Sequence, residues 1–303
     1  MRKTRSTWLA VALMLTFAAG EAGAQRALHD VRDDIKHFGE DVLWVWTSPV
    51  RGDQRGWLAF GATALGFALL LPVDEPIDDW VVKDTTRPIF RMLKPVRKGG
   101  SLYGGSFMGP IAGAAYIAGV AFDKPDVRDA IVGCGASWLA NSYGRKLTTY
   151  RLAGRARPSA ERGNWVWLGP NYKNKVPNGD PEGEPDSVWH YKSFPGGHVA
   201  NVTACASFFG HRFEWGFVEP VLYTFAGAVG LGRFPDRAHW ASDQLVGIVL
   251  GYAVGKAVAD QQLKRVRKRE ARNSGGATTT ETRSSLYANP DEGAIRIGWQ
   301  LRF

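Results

Sequence analysis

Long apolar stretches separated by short polar ones set the pattern of this chain. Six stand out, over residues 56–73, 105–122, 126–149, 198–213, 217–231 and 237–263. Each is longer than a strand and close to continuously apolar, which predicts buried helices. Between the third and the fourth, residues 159–192 form a polar loop rich in Pro, Gly and Asn that also carries Trp165, Trp167, Trp189 and Tyr191. A loop of that length in a compact domain usually serves as a lid or a substrate-facing surface. The C-terminal stretch IRIGWQLRF behaves differently: Ile295, Ile297, Trp299, Leu301 and Phe303 alternate with polar positions, the period of a strand with one apolar face. A barrel needs many such strands, so this one is expected to dock against the helical body. The pattern predicts an all-α fold, a six-helix core with a short C-terminal β-strand tail.

The start of the chain has its own signature. Arg2, Lys3 and Arg5 precede an apolar stretch from Trp8 to Gly20, and Ala22-Gly23-Ala24 closes it with small residues. This predicts a cleaved secretory leader over 1–24. The remaining chain then divides into an N-terminal extension (25–55), a helical domain (56–263) and a C-terminal region (264–303) made of a basic run, a linker and the strand. The linker is NSGGATTTETRSS, flexible in composition.

Composition narrows the picture further. With 303 residues, 45% hydrophobic content and 12 tryptophans the chain can bury a large core. Two cysteines, Cys134 and Cys205, exclude a disulfide-rich scaffold and a four-cysteine zinc site, and stand either as buried thiols or as one helix-to-helix disulfide. The net charge is +9. Much of it sits in Lys264, Arg265, Arg267, Lys268, Arg269 and Arg272, a solvated helix end or a contact for anionic headgroups. An exported chain without a nucleic-acid-binding module is not expected to bind nucleic acid.

Polar chemistry interrupts the helices at three places. GRKLTTYRLAGRARPS ends the third segment, SFPGGHVAN opens the fourth and GRFPDRAHWASD opens the sixth. In an up-and-down bundle these three lie on one face. The residue types suit a phosphate there. Arg157 and Arg233 offer planar forks, and Gly196 and Gly197 expose backbone N–H groups at a helix start. His198 and His239 are two imidazoles, of which one can attack and the other can protonate a leaving oxygen. Asp243, four residues after His239, is expected on the same helical face and within reach of its ring.

These three motifs resemble those of the superfamily that joins type 2 phosphatidic acid phosphatases, bacterial acid phosphatases and vanadium haloperoxidases. Arg157-Pro158 matches its first motif, Pro195, Gly197 and His198 its second, and Arg233, His239 and Asp243 its third with the internal spacing intact. The resemblance implies the six-helix bundle of that superfamily over about 56–263 and a phosphatase activity. It implies His239 as the nucleophile that forms a phosphohistidine, Asp243 as the group holding its far ring nitrogen, and His198 as general acid and then base. Arg157, Arg233 and Gly197 would stabilise the transferring phosphoryl group. Three positions depart from the motifs: Tyr150 stands in place of a lysine, and Gly196 and Gly232 in place of serines. Lys146, one turn before Tyr150, stands either as the source of the missing charge or as a solvated side chain.

No metal or other cofactor is implied for a phosphatase of this kind. Vanadate would act as an inhibitor, or as the cofactor if the chain were instead a haloperoxidase; a non-catalytic anion-binding envelope protein is the third alternative. The expected partner is a phosphorylated lipid or a small phosphate ester. Glu219 interrupts the fifth segment and the uncharged part of the sixth runs only from Gln244 to Gly255, whereas 99–122 is uncharged and long enough to span a bilayer. The expectation is a periplasmic helical protein, associated with a membrane at its surface.

Overall fold

The computed structural model describes residues 21–102, 108–176, 188–213, 216–273, 283–291 and 294–302. The apolar part of the expected leader and most of the linker lie outside them. The described chain is mostly helical. Its helices are α1 (Glu21–Trp46), α2 (Gln54–Lys83), α3 (Pro88–Leu102), α4 (Met108–Ala121), α5 (Pro125–Leu147), the single turn α6 (Thr149–Leu152), α7 (Gly197–Phe213), α8 (Val218–Leu231) and α9 (Ala241–Asn273). In the C-terminal region β1 (Arg283–Asp291) pairs antiparallel with β2 (Ala294–Arg302), Leu286 opposite Trp299 and Ala288 opposite Ile297.

Several boundaries differ from the sequence pattern, each for a physical reason. α2 continues past residue 73 through Pro72 and Pro76. The prolines and the acids beside them read as a break, yet Asp74 is fully buried and paired, which holds the helix together through the interruption. α9 begins at Ala241, after His239, and extends through the basic run to Asn273. α1 begins in the last four residues of the expected leader, 21–24, and runs on through the stretch expected as an extension. It has no continuous apolar run, but Leu28, Val31, Ile35, Phe38, Val42 and Val45 recur at three- and four-residue spacing, the signature of an amphipathic helix.

The polar side of α1 is used for anchoring. Asp34 accepts from Arg128 Nε and from Tyr116 OH, each at 2.9 Å. Asp41 accepts from Arg265 at 2.7 and 2.6 Å, so one member of the basic run pins α9 to α1 instead of facing solvent. Between these anchors Val42 and Val45 of α1, Ala136 and Ala140 of α5, Ala204 and Phe208 of α7, and Val254 and Val258 of α9 form the main core. Burial of each valine or phenylalanine contributes roughly 1.5–3 kcal/mol.

The contact that matters most for the site is between α7 and α9. Gly247, Gly251 and Gly255 lie one helical turn apart, and a Cβ on them would stand 2.4, 2.3 and 2.1 Å from the carbonyl oxygens of Gly196, Ala200 and Ala204. Backbone therefore rests directly on backbone, which fixes the start of α7 against the start of α9 with little slack. A disulfide between Cys134 of α5 and Cys205 of α7 ties in the third helix.

α2 faces outward over much of its length. Trp57, Leu58, Phe60, Leu65 and Leu69 are exposed, and only 6% of its most apolar 18-residue window is buried. Among the described residues it is the one helix long and apolar enough to cross a membrane, by length and composition. The stretch 99–122, expected as the best candidate, is instead divided between α3 and α4, with residues 103–107 outside the described part.

Overpacking a tight helix contact costs about 1–3 kcal/mol. Gly251→Val is therefore expected to lower the melting temperature and to reduce any activity that depends on the spacing of His198 and His239. An unchanged melt by circular dichroism would show that the helices can part without penalty.

Candidate active site

His239 lies in the turn between α8 and α9, with 2% of its surface exposed. Its Nδ1 is 2.6 Å from the carbonyl oxygen of Ser193. A carbonyl only accepts, so the neutral ring carries its proton on Nδ1 and leaves Nε2 unprotonated, as an acceptor. The Gly197 N–H donates toward Nε2 across 3.4 Å. Burial, then the positive charge of Arg157, hold His239 well below the usual imidazole range, so the ring is neutral at physiological pH.

Asp243 was expected to orient that ring from one helical turn away. It does not, because His239 precedes α9 while Asp243 sits in its first turn. The Asp243 carboxylate instead accepts from Ser193 Oγ at 2.5 Å, from the Trp240 backbone N–H at 3.1 Å and from Arg155 Nη1 at 2.5 Å. Its influence on His239 passes through Ser193, whose hydroxyl it fixes and whose carbonyl holds the imidazole. Burial pushes the Asp243 carboxyl upward, and Arg155 and Ser193 pull it back.

Arg155 is fully buried and was not singled out by the sequence motifs. Besides Asp243 it donates to Asp74 of α2 at 2.8 Å, to Ser242 Oγ at 2.8 Å and to the Asn164 carbonyl at 3.0 Å. The faces of Phe67, Trp167 and Trp240 enclose it at 5.3, 5.0 and 5.8 Å. The signal for this cluster was present in the sequence: an aspartate in an apolar helix, Asp74, requires a buried cation.

His198 stands in the first turn of α7, its ring centroid 6.3 Å from that of His239. Burial in the cleft, followed by the charges of Arg233, Arg157 and Arg145, pushes it down to about 4. His198 is nonetheless exposed on the surface, and water screens part of that effect. The Arg157 guanidinium sits over the Trp189 ring, its Cζ 3.7 Å from the centroid, and burial lowers its pKa to about 10. Arg233, also buried, bridges to Asp236 at 3.2 Å. The loop tryptophans thus differ in role: Trp189 supports Arg157, Trp167 packs on Phe67 and Phe194, and Trp165 is exposed.

Two expected phosphate-binding positions are corrected. The Gly196 N–H already donates to the Asp243 carbonyl at 2.8 Å, which leaves Gly197 as the backbone donor in the cleft. Lys146 does not share a helix face with Tyr150, because α5 ends at Leu147 and the backbone breaks at Thr148. Lys146 is exposed, with its ammonium 4.8 Å over the Tyr143 ring. Its neighbour Arg145 is the buried cation: it donates to Tyr150 OH at 2.7 Å and to Asn201 Oδ1 at 2.8 Å. Among the described residues no three His, Cys, Asp or Glu side chains group as a metal site.

The arrangement is a neutral, aimed imidazole nitrogen beside a second imidazole and a cluster of guanidiniums, which suits attack on an anionic tetrahedral centre. Two predictions follow from the titrating groups. Both histidines sit below the free value of 6.5, so as pH falls from there toward 4 the unfolded chain takes up protons that the folded one resists. Stability therefore falls on acidification through that window. The melting temperature should drop between pH 7 and pH 4.5, and drop less in His198→Asn; identical profiles would contradict the assignment. Asp243→Asn removes one partner of a buried ion pair, a loss of about 3–5 kcal/mol, so it should lower the melting temperature as well as turnover. A wild-type melt with reduced turnover would favour a purely catalytic role for Asp243.

The PAP2 superfamily profile matches residues 148–267. A lipid A 1-phosphatase from Porphyromonas gingivalis (strain ATCC 33277) is 41% identical over 68 residues, covering 21% of this chain and 15% of the relative. No solved structure matches the chain. Residues 148–267, which carry Arg155, Arg157, both site histidines and Asp243, belong to the PAP2 superfamily.

Proposed function

We propose that the chain is a phosphatase acting on the phosphate group of lipids through a phosphohistidine on His239. The observation that carries this reading is the state of His239: its Nδ1 proton is committed to the Ser193 carbonyl, and its Nε2 faces the Gly197 N–H beside the arginine cluster. Nε2 attacks phosphorus, and the bond to the leaving oxygen breaks. His198 gives that oxygen a proton, which the dianionic phosphate favours by stabilising the imidazolium. His198 then takes a proton from water as it attacks the phosphohistidine, releasing inorganic phosphate and restoring His239. Arg157, Arg233 and the Gly197 N–H hold the equatorial oxygens. The scheme calls on no metal or cofactor.

The substrate reading rests on two supports. The Porphyromonas relative is by name a lipid A phosphatase, and α2 presents an exposed apolar face on the same body that carries the cleft. We read α2, α4, α5, α7, α8 and α9 as the six-helix core of the superfamily, membrane-associated through α2. The Cys134–Cys205 bridge fits export to an oxidising compartment, the periplasm.

Full-length protein in detergent and EDTA should hydrolyse a lipid A phosphate or phosphatidate faster than p-nitrophenyl phosphate, and acid quenching should trap radiolabelled phosphate on the chain. His239→Ala should carry no label. His198→Ala should still be labelled by esters with good leaving groups and be slow on alkyl esters. Label retained on His239→Ala would refute the nucleophile assignment, and loss of wild-type activity in EDTA would refute the metal-free scheme.

A further inference from the structure

Arg145 has no role in the scheme above, yet its surroundings are unusual for a structural arginine. Only 5% of it is exposed, and among the described residues no carboxylate contacts it. Its hydrogen bonds go to two neutral oxygens, Tyr150 OH and Asn201 Oδ1, and its buried Nε has no partner. Burying a guanidinium without a counter-charge costs several kcal/mol unless an anion completes the site. The neighbouring side chains hold it in place. Asn141 Nδ2 and Ser142 Oγ of α5 donate to the same Asn201 oxygen at 2.7 and 3.0 Å, which locks α5 to α7 just behind it.

The guanidinium lies against Gly197. A Cβ on Gly197 would lie 2.5 Å from Arg145 Nη1 and 2.7 Å from Tyr150 OH, so the missing side chain of Gly197 is what admits both groups. Gly197 is also the residue whose N–H points at His239 Nε2. Arg145 is therefore packed against the backbone that lines the attacking nitrogen. Arg157 likewise contacts no carboxylate among the described residues; its guanidinium donates to the Lys192 carbonyl and sits over the Trp189 ring, while Arg233 is tied to Asp236. Two uncompensated positive charges remain, which matches the dianion of a phosphomonoester better than the monoanion of a diester.

We propose that Arg145, presented by Tyr150 and Asn201 against Gly197, is a direct phosphoryl-binding residue of this site and supplies the cation that Tyr150 has displaced from position 150. The proposal rests on the phosphatase reading for the identity of the anion, but not for its existence. A guanidinium fork holding two oxygens is poorly replaced by an ammonium, and a neutral amide removes the charge altogether.

The test uses full-length protein in detergent, with orthovanadate as the probe, affinity measured by calorimetry, and melting temperature recorded for every variant. Arg145→Gln should weaken vanadate roughly 10- to 100-fold, the range for one charged hydrogen-bonding group. Arg145→Lys, which keeps a cation beside Asn201 and so preserves the fold, should lose about three- to tenfold. Adding Tyr150→Lys to Arg145→Gln should restore most of the lost affinity, because it returns a cation to the same space. Arg145→Lys and Arg145→Gln that bind vanadate as the wild type does, at an unchanged melt, would overturn the proposal. So would a folded double variant with no recovery.

The two readings fail separately. Wild type that binds vanadate with the predicted dependence on Arg145 but turns over no ester keeps this proposal and ends the phosphatase reading. Wild type that hydrolyses esters with an affinity indifferent to Arg145 does the reverse, and wild type that binds neither vanadate nor phosphate ends both.

Discussion

A single buried guanidinium organises the region in which the chemistry is placed. Arg155 sits between Asp74 of α2 and Asp243 of α9 with no exposure to solvent, and three aromatic faces close around it. Two carboxylates and one guanidinium cannot be buried separately at tolerable cost, so each requires the others. The consequence is mechanical: the outward-facing helix α2, the loop after α6 and the start of α9 are drawn to one point. Ser193 joins through Asp243, and its carbonyl then fixes the tautomer of His239.

That chain of contacts changes how the spacing of His239 and Asp243 is understood. Four residues apart suggests a direct carboxylate–imidazole pair on a helix, and the actual device is indirect. The carboxylate caps the first turn of α9 by accepting from the Trp240 N–H and spends its other contacts on Ser193 and Arg155. A backbone carbonyl does the orienting. A carbonyl cannot donate or lose a proton, so the tautomer it selects does not change with pH, whereas a carboxylate partner would add its own titration to the site.

Much of the frame was legible because it is written in local patterns. The starts of α7 and α8 and the extent of α5 fall within a residue or two of the apolar segments, and the convergence of Arg157, His198, Arg233 and His239 follows from which helix ends carry them. What escaped was coded in long-range pairing. α1 hides its core positions among charges whose partners, Arg128 and Arg265, lie far along the chain. The extension of α2 past its prolines depends on Asp74 finding Arg155. Lys146 and Arg145 are adjacent in sequence, and only the face that α5 packs against α7 decides which of them is buried. Gly196 and Gly197 are likewise equivalent as letters, and only the hydrogen bond to Asp243 separates them.

The account stands or falls on where a pentacoordinate phosphorus would form, and a crystal structure of the full chain with orthovanadate measures that directly. The account predicts vanadium bonded to His239 Nε2, with the Gly197 N–H, Arg157 and Arg233 on the equatorial oxygens and His198 beside the apical one. Vanadium bonded to His198, or bound away from His239 altogether, would contradict it.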